Sequence, residues 1–322
     1  MLHLRVISPA EQTAALVRVL SVDPGVTHLT VARGIAVDPA GDLVQADVAR
    51  EAANKVLADI KALGIVHSGG LTLGPVEAVL SDAADRATRS APGDADDAVV
   101  WEQLLAETHE ESSLNSTFLA FLTIACLLAS IGVATNSPVT VVGAMVVGPE
   151  FGPLAALAVA LVRRNWRLAR RSMIALAVGF PVAMSITLVA TLVWSRLGWI
   201  TTEAVLDAHN LDFIYEVGPF SFVVALLAGA AGMLSLVTAK SAALIGVFIS
   251  VTTVPAAGYA VVAATLGQWH RAFESAGQLA VNLVGIVVAG VIVLELRPRT
   301  GDESGPIGRF KRAIGMRTPL DR

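Results

Sequence analysis

The sequence predicts a polytopic α-helical membrane protein. Its expected architecture is six spans in two inverted three-helix repeats with broken helices, preceded by an N-terminal α+β ferredoxin-like (βαββαβ) cytoplasmic domain. Three observations predict it. Long charge-free stretches are confined to the later part of the chain, the two halves of that part align at an offset of 103 residues, and the first 115 residues keep an ordinary charged pattern.

The charge-free stretches are 112–149, 172–195, 217–239 and 275–294. Charged residues make up 16% of the 322-residue chain, against about 25% in soluble domains. A soluble helix keeps one polar face, and a membrane span needs about 20 apolar residues. The composition therefore excludes a purely soluble protein. It also excludes an outer-membrane barrel, whose strands alternate apolar and polar residues. Spans are expected near 116–134, 138–162, 172–194, 218–239, 242–266 and 276–296.

The soluble part reads as strand 2–7, helix 9–20, strand 26–37, strand 43–47, helix 48–63 and strand 65–74. Pro9 suits a first helical turn, and Ala52, Val56, Ile60 and Leu63 share one helix face. The βαββαβ order is the ferredoxin-like arrangement, which serves either as an assembly domain or as a ligand sensor. His67 beside Ser68-Gly69-Gly70 marks either a ligand loop or a plain turn, and a turn is the more economical reading. The domain is expected over 1–90, with a linker and an acidic amphipathic helix over 91–115. His109 and its neighbouring glutamates suit a solvated helix face better than a metal site. The single cysteine, Cys126, allows no disulfide framework. Residues 1–20 lack a basic start and apolar core, so no signal peptide is expected.

Charge asymmetry orients the spans. The loop 163–171, RRNWRLARR, carries five arginines, and the tail 297–322 is basic, so both are expected in the cytoplasm. Segment 195–217 holds Glu203, Asp207, Asp212 and Glu216, and is expected outside. Six spans with both termini inside satisfy all three placements. Trp166, Trp194, Trp199 and Trp269 fall at the expected interfaces, and Lys240 at a cytoplasmic junction.

At the offset of 103, Val142-Gly143 meets Ile245-Gly246, Trp166 meets Trp269, and Ser172 meets Ser275. Three spans per unit force the second unit to enter the membrane from the opposite side. Inverted repeats with helix breaks at matching places mark secondary transporters. Gly148, Pro149, Gly152 and Pro153 interrupt the second span, and Pro255 and Gly258 the fifth. At the first break lies Glu150, the only acidic residue expected deep inside a span, Glu295 falling at the end of the sixth. A carboxylate at that depth costs roughly 2.5–3.5 kcal/mol on insertion scales, so it faces a cavity, an ion or a partner. Ser250, Thr252 and Thr253 of the fifth span are expected opposite it, with Asn136, Ser137 and Asn282 as further polar candidates. Asn136 is expected to cap the second span.

The stretch 130–161, with Asn136-Ser137, Gly143-Ala144-Met145, Pro149 and Gly152-Pro153, resembles the signature of a bacterial hydrophobic-domain membrane family, domain of unknown function 389. Segment 245–264 resembles that family's second Gly-rich, Pro-containing span, and the likeness extends over about 116–296. It implies a multi-pass protein of the bacterial inner membrane. Many members have Ser-Pro-Leu-Met where this chain has Gly148-Pro149-Glu150-Phe151, and often two prolines at Pro255, so the likeness does not carry a role for Glu150.

The expected function is a transporter moving a small solute or ion through a central site, with the N-terminal domain as regulator. A ligand-gated channel within a homo-oligomer and a membrane-anchored sensor are the alternatives. The spans hold no metal cluster and no nucleophile–base pair, so neither an enzyme nor a cofactor is expected. The partners expected are the bilayer, the solute and further copies of the chain, not nucleic acid, because the basic clusters adjoin membrane spans.

Overall fold

The computed structural model describes residues 1–76, 78–91, 99–200, 219–238 and 243–297. The chain divides into two compact units, with Met1–Leu104 in one and Leu105–Glu295 in the other.

In the first unit β1 (Leu2–Ser8), α1 (Ala10–Val22), β2 (Val26–Val37), β3 (Ala40–Val48), α2 (Ala53–Ala62), a helical turn α3 (Ile65–Ser68) and β4 (Gly70–Pro75) follow in sequence. Their sheet is antiparallel, in the order β2-β3-β1-β4. The expected βαββαβ order is therefore present, with one added helical turn. Strict alternation in β1 and β3 buries Leu2, Leu4, Val6, Val44, Ala46 and Val48. These pack with Leu16 and Leu20 of α1 and Val56, Leu57 and Ile60 of α2. The expected second helix began at residue 48. It starts at Ala53, because Val48 still pairs with Leu2 in the sheet. His67 is exposed on α3, and the following Gly69 lies against the Ile7 carbonyl oxygen, where an added Cβ would clash. That glycine serves packing rather than a ligand loop.

α4 (Asp82–Ser90) begins at Ser81, whose Oγ accepts from Ala83 N–H. Ser81 Oγ also lies 2.9 Å from His28 Nε2. His28 and His3 both donate from Nδ1 to Asp47, at 2.7 and 2.8 Å. Partial burial pushes the Asp47 carboxyl up, and the hydrogen bonds from His28 and His3 outweigh it, leaving the group below the usual carboxylate range. α5 (Trp101–Glu111) is the expected acidic helix, and His109 on it accepts from Arg171 at 2.9 Å. Among the described residues no cluster could hold a metal.

The second unit contains α6 (Ser116–Ala134), α7 (Pro138–Val147), α8 (Phe151–Arg163), α9 (Trp166–Arg196), α10 (Pro219–Thr238), α11 (Ala243–Thr265) and α12 (Trp269–Leu296). α6, α9, α10 and α12 are each long and apolar enough to cross a membrane. α7 and α8 together would make a fifth crossing, bent by 53° at their junction. The core runs from Leu122, Cys126 and Ala129 on α6 through Ala144 and Leu154 to Val254, Ala256 and Ala257 on α11.

One helix start recurs at the internal spacing. α9 and α12 begin at Trp166 and Trp269, 103 residues apart. The turns between helices match as well. Arg164 and Gly267 both take positive φ, and each is followed by a 2.8 Å bond, from Asn165 N to Ala160 O and from Gln268 N to Ala263 O.

One expectation fails here. The fifth span is not broken: α11 is one continuous helix with Pro255 inside it. A lone proline removes one N–H and kinks a helix without ending it when the rest of the ladder holds. Gly258 is no break either. It brings α11 against α6, where an added Cβ would lie 2.6 Å from Ala129 Cβ. The α7–α8 junction differs because Gly148 precedes Pro149 and takes an extended conformation (ψ 125°), as residues before proline do. The tail beyond 297, the loop acids Glu203, Asp207, Asp212 and Glu216, and Lys240 lie outside the described residues.

Candidate functional site

The break between α7 and α8 places one carboxylate at its centre. Glu150 is the residue before α8 and is 1% exposed. The N-terminal end of a helix carries partial positive charge, which favours an acid there. Pro153 falls in the first turn of α8, where a missing N–H costs nothing. On the other side α7 ends, and the carbonyls of its last turn have no partner within the helix. Gly148, Pro149, Gly152 and Pro153 thus shape one junction, with a helix end on either side of it.

Thr253 on α11 reaches this junction. Its side chain is fully buried, and its Oγ1 donates to Glu150 Oε1 at 2.5 Å. The two residues are 103 positions apart, so each occupies the place of the other in the internal alignment. Cys126 on α6 is buried nearby, within electrostatic reach of the carboxylate. A short hydrogen bond to a carboxylate in an apolar core is strong because no water competes for it. It can also be exchanged: a proton or a cation on the carboxylate would alter what the hydroxyl bonds to.

The other sequence candidates separate from this pair. Ser250 and Thr252 lie in α11, but their side chains are outside the described residues. Asn136 does not cap α7. It turns the chain between α6 and α7 with φ 47°, and Ser137 is the cap, accepting from Thr140 N–H at 3.3 Å. Ten residues of helix separate that turn from the break, about 15 Å. Asn282 is buried on α12 and accepts from Gln278 Nε2 at 2.9 Å. Gln278 Nε2 also donates to Ser221 Oγ on α10. Sequence reasoning missed Gln278, although its i,i+4 spacing from Asn282 in a charge-free helix was a readable signal. It also missed the contact from Ser275 Oγ to the Ala256 carbonyl, 2.8 Å, directly after Pro255.

Comparison with known proteins bears on this region. Residues 145–288 match the family model described as domain of unknown function (DUF389). The match bears out the resemblance read from the sequence, over a shorter range than expected. The DUF389 segment starts in α7 and ends in α12, so it includes the break, Glu150 and Thr253 but not Asn136 or Ser137. The chain is also similar to an uncharacterized protein of Methanocaldococcus jannaschii, 20% identical over 195 residues. That likeness covers 61% of this chain and 58% of the relative, less than two thirds of the relative's length. No solved structure matches the chain.

Proposed function

We propose that this protein is a six-span carrier that moves a small cation, or a solute coupled to protons, through the junction of α7, α8 and α11. The observation that carries the proposal is the Glu150–Thr253 pair, a buried acid at a helix break bonded to its counterpart 103 residues later. Residues equivalent under a two-fold axis touch only near that axis. The repeated helix start at Trp166 and Trp269 and the repeated turn before it support two three-helix units related by such an axis. In this reading α7–α8 and α11 are the central spans of the two units, and the units are inverted. The loop arginines support this orientation, with the termini in the cytoplasm of a bacterial inner membrane. Copies of the chain associate in the bilayer, and no bond-making reaction is assigned to the protein.

Only one of the two central positions is acidic, so the site binds one positive charge at a time. Glu150 alternates between a charged state and a neutralised one, with Thr253 holding the carboxylate in place. The carbonyls at the end of α7, without partners within the helix, add oxygen ligands for a cation.

The test is current across a supported membrane carrying purified protein, under proton, sodium, potassium and chloride gradients in turn. The expected result is a saturable current driven by one gradient and lost in Glu150→Gln. Equal currents in the two proteins would remove the acid from the pathway. An ohmic, unsaturated current would mark a channel instead, and silence in all gradients a sensor or an electroneutral carrier.

A further inference from the structure

The corner between α8 and α9 can be compared directly with the corner between α11 and α12. Both begin with a residue of positive φ, Arg164 and Gly267, and both close with the same pair of backbone bonds. At the first corner stand Arg163, Arg164, Arg167, Arg170 and Arg171. The residues 103 positions later are Leu266, Gly267, His270, Phe273 and Glu274. The second corner folds the same way without the arginines, so the turn itself does not require them.

Arg163 suits the last turn of α8 and Arg171 donates to His109, but the start of α9 gives Arg167 no such local reason. Asn165 Oδ1 caps α9, accepting from Leu168 N–H at 3.2 Å. Arg167 therefore sits in the first turn of a helix, the end where positive charge is unfavourable. Arg167, Arg170 and Arg171 follow at i, i+3 and i+4, and so share one exposed face, while Leu168, Ala169 and Ser172 are buried on the other. Trp166 is 72% exposed beside them. Five guanidinium groups within nine residues, an amphipathic ring and two apolar helices leaving the same corner form a surface of defined chemistry.

We propose that this corner docks anionic phospholipid headgroups. The phosphates accept from the guanidinium forks, which match phosphate geometry. The Trp166 ring lies at headgroup level, and the acyl chains run along α8 and α9. The α11–α12 corner is the internal control. It presents Trp269 61% exposed, with His270 and Glu274 paired at 3.2 Å and Arg271 donating to Gln268 Oε1 at 3.4 Å, so it offers an aromatic anchor with one arginine in place of five. The consequence is an asymmetric annulus, with bound anionic lipid at one corner and bulk lipid at its counterpart.

The test uses the full chain in phosphatidylcholine vesicles, with brominated phosphatidylglycerol or brominated phosphatidylcholine added in matched amounts. Quenching of Trp166 is isolated by subtracting the signal of Trp166→Phe. The anionic lipid is expected to quench at least about fivefold more effectively, the scale of one surface arginine. The preference should vanish in Arg164→Gln/Arg167→Gln/Arg170→Gln, survive in the corresponding lysine variants and weaken with salt. Quenching by the zwitterionic lipid reports whether each variant still folds. If the glutamine triple does not fold, the single Arg167→Gln and Arg170→Gln proteins decide by their partial losses. Equal quenching by the two lipids in the unaltered protein overturns the proposal, as does a preference that persists when the arginines are gone.

Discussion

α6 with α9, and α10 with α12, are two helix pairs built on one framework with opposite interiors. In the first pair Phe118 lies in the notch left by Gly179, where an added Cβ would sit 2.7 Å from the ring. The positions 103 residues later are Ser221 and Asn282, joined through Gln278, which replaces Ala175. A ring-in-notch contact has become a chain of amides and a hydroxyl. The helices still approach closely, because Gly229, in the place of Cys126, lets α10 touch the Ile286 backbone. Close approach is thus the common requirement, and side-chain chemistry is what each pair is free to choose.

The comparison breaks most sharply at Gly229. Gly229→Ala places a Cβ 2.7 Å from Ile286 Cα and carbonyl oxygen, which are main-chain atoms and cannot swing away. We expect a loss of ~2 kcal/mol in the stability of the detergent-solubilised protein, read by denaturant titration. Cys126→Ala at the matching site should cost about half as much, since it only removes a buried sulfur. If the two variants melt alike, close approach is not the constraint that separates the pairs.

The next largest effect is at Thr253. Hydrogen bonds to charged groups contribute about 1.5–3 kcal/mol. Thr253→Val should therefore move the cation or proton concentration for half-maximal current by on the order of tenfold. Thr253→Glu sharpens the test further. Two facing acids cannot both ionise cheaply, so a second titration step should enter the current's pH profile.

In the first unit the comparison is between Asp47 held by His3 and His28 and the same acid in the unfolded chain. Asp47 has its folded value depressed, so its contribution to stability is complete above the unfolded carboxylate pKa of about 4. That contribution is lost as pH falls through the lower folded value. Amide exchange in the β2–β3 hairpin should quicken by severalfold over this acid window, and Asp47→Asn should flatten the response. Smallest of all is the exchange of one interior for the other. Ser221→Phe/Gln278→Ala/Asn282→Gly removes both sides of each polar contact at once, which is close to neutral when shape is kept. A change within ~1 kcal/mol would show that the amide chain is not needed for folding.

Patterns that depend on spacing alone were legible in the sequence. The order of strands and helices in the first unit could be read, and apolar runs marked α6, α9, α10 and α12. The tryptophans at 166 and 269 marked two helix starts that the span boundaries had placed several residues too late. Thr253 was one of three fifth-span residues expected opposite Glu150, and the structure pairs it with the acid 103 positions earlier. What depends on local competition was not legible. Proline at 149 follows a helix end and proline at 255 does not, and the residue before the first is glycine, a poor helix former. Ser137 rather than Asn136 became the cap, because the turn needed a left-handed residue first and asparagine tolerates that conformation.

The bond between positions 150 and 253 also bears on ancestry. Under the proposed duplication both positions descend from a single residue of a three-helix precursor that paired with an inverted copy of itself. A residue on the axis of such a pair faces its own duplicate. Had it been glutamate, two carboxylates would have met there and been obliged to share a proton. Had it been threonine, the junction would have been neutral. Only after the copies became one chain could the position hold an acid on one side and a hydroxyl on the other. Fusion thus made available a lone carboxylate facing a hydroxyl, which no symmetric dimer of identical subunits can build.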